Sequence, residues 1–178
     1  MAGGPESGLV DIAPLLLELY GRVPPLAREA VEGLDAEALT RAPGSGANPV
    51  GWLVWHLTRV QDSHVAELLE ADQLWASGDW AGRFGLDRDP SNTGYGHTPE
   101  EVAAVRPQGP EALVEYLEAS SARTGDFLQG LGPADLDRVV DRAWDPPVTL
   151  GVRLVSIADD CLQHVGQAAY VRGLLARS

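Results

Sequence analysis

Three side chains in this sequence carry the chemistry that can be read from residue type and spacing. His56 lies in the run Gly51-Trp52-Leu53-Val54-Trp55-His56-Leu57, and Asp160 and His164 lie far downstream in Asp160-Cys161-Leu162-Gln163-His164-Val165-Gly166-Gln167. Both runs read as apolar-rich helix, where histidine and aspartate are out of place unless something satisfies them. A divalent cation would satisfy all three. Four residues advance a helix by roughly 400° and about 6 Å, so Asp160 and His164 stand one above the other, while Asp159 points about 140° away from His164. Asp160 is therefore the better ligand of the two neighbouring aspartates. The third donor must come from another helix, and His56 is the natural choice. Two imidazoles and one carboxylate leave a coordination position open, the pattern of a working metal site and not of a closed structural zinc.

The surrounding polar residues sort by the same geometry. Gln167, Gln163 and Asp159 are candidates to accept the second ring N–H of a metal-bound histidine, and Gln167, three residues beyond His164, is best placed. His64 lies about 12 Å along the helix from His56, so the two cannot share one ion, and it reads as a solvated or helix-pairing residue. His97 reads as structural. Cys161 is a lone cysteine on a helix, best read as a small buried hydrophobe.

The elements that must position these side chains follow from helix punctuation. A first helical stretch runs from about Leu9 to Glu32, with Pro24-Pro25 expected to kink or split it. A second opens with Asn48 as N-cap and Pro49 at the first helical position and continues to about Ala76. A Gly-, Asp- and Pro-rich loop spans about Ser77 to Gly109, too polar and broken for a core element. It holds a helical turn where Thr98 and Glu101 match a capping box, and its length suits a lid or binding segment. A third helix runs from Pro110 to Gly130. A fourth follows Thr149 as N-cap and reaches nearly to the C-terminus, and Ala143 to Val148 has room for a short extended piece. A faint repeat supports this layout: Glu32-Gly33-Leu34-Asp35-Ala36-Glu37-Ala38-Leu39-Thr40-Arg41 resembles Gln129-Gly130-Leu131-Gly132-Pro133-Ala134-Asp135-Leu136-Asp137-Arg138. Helices two and four then become equivalent partners, and they bear the three ligands. The expected architecture is an all-α, up-down four-helix bundle with a long loop between helices two and three, one domain over residues 1–178, with the metal site built from facing helices.

Composition narrows the function classes. A length of 178 residues suits one domain with a proper core. A net charge of −13 argues against nucleic acid as a partner. All 13 basic residues are arginine, which excludes Schiff-base catalysis and a lysine-bearing phosphate loop. The single cysteine excludes an internal disulfide and a Cys-only zinc site. No run is apolar enough for a membrane span, and the first residues lack the basic and apolar regions of a signal peptide, so a cytoplasmic location without membrane partners is expected.

The segment Asn48-Pro49-Val50-Gly51-Trp52-Leu53-Val54-Trp55-His56-Leu57-Thr58-Arg59-Val60-Gln61-Asp62, together with Asp160 to Gln167, resembles the DinB-like, YfiT-like four-helix bundle superfamily and, within it, the mycothiol-dependent branch. The usual last-helix pattern there is His-x-x-x-His followed by Arg-Gly-Gln, of which Val165-Gly166-Gln167 keeps Gly-Gln. The resemblance implies a divalent metal, usually zinc, with ligands that carry over as His56, Asp160 and His164. Aspartate stands where relatives have histidine or glutamate, so its shorter side chain must come closer to the metal. A low-molecular-weight thiol in the open position of such a site loses its proton near neutral pH and faces an electrophilic carbon as a held nucleophile. The resemblance thus implies a mycothiol-dependent S-transferase or isomerase acting on a small electrophile in detoxification, with homodimerisation also expected from it. Two other readings stay open: a non-haem Fe(II) enzyme that activates oxygen through two histidines and a carboxylate, and a non-catalytic metal-binding or dimerisation module.

Overall fold

The computed structural model describes residues 11–177. The described residues are mostly helical, and four long helical stretches enclose the core. The first is split: α1 (Ile12–Gly21) is capped by the Asp11 carboxylate, and α2 (Val23–Val31) follows after the single residue Arg22. Pro24 and Pro25 occupy the first turn of α2, where a missing N–H costs nothing, so the prolines start the second segment and the break falls just before them. The expected start near Leu9 lies outside the described residues. A short α3 (Ala36–Thr40), capped by Asp35, leads to α4 (Val50–Leu68). Two further one-turn helices, α5 (Leu74–Ser77) and α6 (Trp80–Arg83), precede α7 (Pro99–Ala104), α8 (Pro110–Gln129) and, at the C-terminal end, α9 (Leu150–Leu175). Helix α4 packs on both α8 and α9, and the α1–α2 stretch packs on the same two helices from the other side.

The second helix is shorter than its sequence suggests, for a tertiary reason. It begins at Val50 with Pro49 in the cap position and no side-chain cap bond, so Asn48 does not serve as the N-cap. It stops at Leu68, and Glu70 takes a left-handed φ of 52°. The carboxylate of buried Asp62 then accepts the backbone N–H groups of Leu74 and Trp75, at 3.0 and 2.9 Å, and holds α5 folded back against α4. Those two amides are bonded to α4 itself, which a continued straight helix would not allow.

The stretch from Ser77 to Gly109 is likewise more structured than a polar loop. It contributes α6 and α7, and Ala81, Phe84 and Val105 are buried in the core. The Thr98–Glu101 capping box forms as the residue types require. Between α8 and α9, the expected extended piece at 143–148 lies mostly in the turn of a small hairpin, with only Val148 in strand, where β1 (Val139–Asp141) pairs antiparallel with β2 (Val148–Thr149). Thr149 caps α9 by accepting from Val152.

The internal repeat is visible in packing. Helix α3 lies on α4, and the 3₁₀ turn Pro133–Asp137 lies on α9. In the first unit Gly51, the second residue of α4, passes under Leu39, and a Cβ there would stand 2.7 Å from the Leu39 carbonyl oxygen. In the second unit Gly151, the second residue of α9, passes under Leu136 at 3.4 Å. Leu39 and Leu136 are matching positions of the two sequence segments.

Candidate metal centre

Helices α4 and α9 bring His56, Asp160 and His164 together. Each offers one ligand atom within 4.8 Å of the others. Asp160 Oδ1 stands 3.5 Å from His164 Nε2 and 3.9 Å from His56 Nε2, and the imidazole rings meet edge to face at 4.7 Å. Donors about 2.0–2.1 Å from a tetrahedral cation are themselves roughly 3.4 Å apart, so the spacing is close to that of a coordinated set and too long for direct hydrogen bonds.

Both histidines present Nε2 because Nδ1 is already committed. The Thr93 carbonyl, which can only accept, lies 2.6 Å from His56 Nδ1 and places the ring hydrogen there. Gln167 Oε1 accepts from His164 Nδ1 at 2.9 Å. Such outer partners fix tautomer and ring orientation in metal sites. Gln163 turns away and donates to Asp159. Asp160 Oδ2 is buried with no hydrogen-bond partner, an orphaned acceptor that a cation would satisfy. Burial holds the pKa of His56 below the ordinary imidazole value, with the Thr93 carbonyl and Asp160 working against that shift. His164 is displaced the other way, chiefly by the Asp160 carboxylate beside it. The donor chemistry and the orphaned oxygen fit a divalent cation.

The Thr93 carbonyl is a contribution that residue types alone do not announce, and it arrives through a buried arginine. Arg59, nearly one turn beyond His56 on α4, is fully enclosed and donates to the carbonyls of Pro90 and Asn92 at 3.0 Å each. Its remaining donors meet Gln73 and the Tyr116 hydroxyl, and Tyr116 in turn donates to Asp62 at 2.7 Å. The segment 90–94 is thus pinned against α4 with Thr93 over His56. Gly94 makes the approach possible: its φ is +93°, and a Cβ there would lie 2.7 Å from His56 Nδ1 and 2.9 Å from the Trp55 ring. An arginine and an aspartate following the tryptophan-rich run of α4 were the available sequence signal for this network.

Aromatic rings wall the site. Trp52 stacks on His56 at 4.7 Å and 13°, and meets His164 edge-on. His97 accepts from Trp52 Nε1, bonds Asn92 Oδ1 through Nε2, and stacks on Trp55, so it braces the wall and is not in the donor set. His64 pairs the helices by accepting from Arg153 of α9 at 2.8 Å. Cys161 is buried, and burial pushes its thiol far up, which leaves it inert.

Comparison with known proteins agrees with this architecture. A crystal structure of a conserved protein from Enterococcus faecalis is similar, with 34% identity and a TM-score of 0.87, covering 95% of this chain and 99% of that one. No curated protein matches. Among the described residues no helix is long and apolar enough to cross a membrane. The DinB superfamily profile matches residues 19–168, which includes all three donors and both helices that carry them. The chain belongs to the DinB superfamily.

Proposed function

We propose that this protein is a metal-dependent enzyme in which His56, Asp160 and His164 hold a divalent cation, zinc, and that it uses mycothiol or a similar low-molecular-weight thiol as an S-transferase or thiol-dependent isomerase. The observation that carries the reading is the pair of Nε2 atoms turned toward one Asp160 oxygen, each with its Nδ1 hydrogen held elsewhere. When bound, the cation supplies the Lewis acidity that keeps a coordinated thiol in its thiolate form near neutral pH. The chain does the rest. Thr93 and Gln167 hold the two Nδ1 hydrogens and so turn both rings with Nε2 toward the site, and Trp52 covers the face of His56. A sulfur held there would be presented, as a nucleophile, to an electrophilic carbon on the open side. The same reading takes residues 1–178 as one up-down four-helix domain acting in the cytoplasm on small molecules, as a homodimer, with neither nucleic acid nor membrane as partner.

The test is a conjugation assay with mycothiol and a reporter electrophile, with and without chelator. Turnover is expected to disappear on chelation and in His56→Ala; turnover that survives both overturns the assignment. The donor set itself favours one further reading, because two imidazoles and a carboxylate also suit non-haem Fe(II). Elemental analysis of protein purified without added metal separates the two, since abundant iron with oxygen-dependent turnover defeats thiol transfer.

A further inference from the structure

A cavity of about 300 Å³ lies between α4 and α9, with Asp160 at one edge and Trp144 of the β1–β2 turn at another. None of its other polar side chains belongs to the donor set. Its walls are apolar where Val60, Val148, Val152 and Ile157 face it, and besides Asp160 its polar residues are His64, Arg153 and Ser156, whose hydroxyl donates to the Val152 carbonyl at 2.9 Å. Arg153 and Asp160 are seven positions apart on α9, about 10 Å and nearly in line, so a molecule with one end at the donors reaches Arg153 with the other.

The hydrogen-bond roles at that far end are fixed. Arg153 Nη1 can only donate, and it meets His64 Nδ1 at 2.8 Å, so the ring hydrogen sits on Nε2. Glu67 Oε2 is 3.5 Å from the same Nδ1, too far to dictate the tautomer. Burial and the adjacent guanidinium both push the His64 pKa down and keep the ring neutral. Among the described residues, His64 Nε2–H has no acceptor, and Arg153 spends one N–H on His64 and one on Asp141 Oδ2 at 2.9 Å. The end is rich in donors. It is not rich in positive charge: Asp141 offsets the guanidinium, and Glu67 and Asp160 stand nearby in a chain of net charge −13. Donors without net positive charge select an uncharged acceptor oxygen, an amide or ketone carbonyl or a hydroxyl, over a carboxylate.

We propose that this cavity seats the uncharged, oxygen-bearing body of an elongated small molecule whose reacting end lies at His56, Asp160 and His164, with His64 and Arg153 donating to its far oxygen. The assignment rests on the metal-site reading above. Val60, Val152 and Ile157 cover the apolar stem, and Trp144, 67% exposed, flanks the mouth.

The experiment uses cobalt(II)-loaded protein and reads the sulfur-to-cobalt absorption band while titrating three thiols. Mercaptoethanol reaches only the donors; ω-mercaptohexanamide adds a neutral carbonyl at the distance of Arg153; ω-mercaptohexanoate replaces it with a carboxylate. The amide is expected to bind about tenfold more tightly than either of the others. His64→Leu and Arg153→Met should each remove most of that gain and leave mercaptoethanol unchanged, with thermal melting to verify folding; if freeing Asp141 unfolds Arg153→Met, His64→Leu decides. An amide no better than mercaptoethanol, or a carboxylate that equals the amide, overturns the proposal. A second arm titrates metal-free protein with hexanamide and hexanoate and follows Trp144 emission, assigned with Trp144→Phe. If mercaptoethanol gives no band, thiol chemistry fails and this arm alone judges the cavity: quenching by hexanamide that His64→Leu abolishes supports it, and no quenching refutes it.

Discussion

Each of the two histidines at the centre is held by one acceptor, and that makes proton and metal competitors for His164. Its pKa is raised in the metal-free fold, so at pH below that raised value cation uptake displaces a proton that Asp160 helps to retain. Apparent metal affinity is therefore expected to be flat at alkaline pH and to fall as pH drops through the raised His164 value. His56, shifted down by burial, adds its own loss only at lower pH. Competition with a chromophoric chelator between about pH 5.5 and 8.5 measures this, and affinity independent of pH across that range contradicts the ligand role of His164. The stability of the metal-free fold has the opposite dependence on His164: a raised pKa stabilises fully below the unfolded value and loses that contribution as pH rises through the folded one. Gln167→Ala removes the acceptor at His164 Nδ1 and should lower metal affinity by about 10- to 100-fold without unfolding the protein, a change the same competition assay reads.

At the scale of elements, the site is a contract between two helices and one loop, and the three were unequally legible. His56, Asp160 and His164 stand out because a polar residue in apolar helix needs a reason, and because a four-residue spacing is decided by helix geometry alone. The capping of α7 and α9 by Thr98 and Thr149 was readable for the same local reason. The end of α4 at Leu68 was not, since it depends on Asp62 capturing amides twelve and thirteen residues away. Nor was the Thr93 carbonyl, because every residue type carries that oxygen and only the Arg59 clamp decides where it lands. The loop therefore has its own prediction. Gly94→Ala places a methyl group 2.7 Å from His56 Nδ1 at a backbone angle that alanine resists, so Thr93 must withdraw. Metal affinity should fall by at least about tenfold while the helical circular-dichroism signal is retained; an unchanged affinity would show that the carbonyl does not orient the ring.

For the molecule as a whole, a cation that binds only the folded state ties the last helix to the second and should raise thermal stability. At a free metal concentration about one hundred times Kd the gain is about 2.7 kcal/mol, a rise of several degrees in Tm by differential scanning calorimetry. Asp160→Ala should show no such rise, and a similar rise in that variant would place the cation elsewhere. The two short turns that rest on Gly51 and Gly151 carry a broader implication. Placing those glycines in register equates positions 56 with 156, 60 with 160, 64 with 164 and 67 with 167 of the two helices. In that register His56, Asp160 and His164 answer to Ser156, Val60 and His64, three residues that line the cavity beside the donors. The same three positions thus carry a chelating set in one frame and a single imidazole in the other.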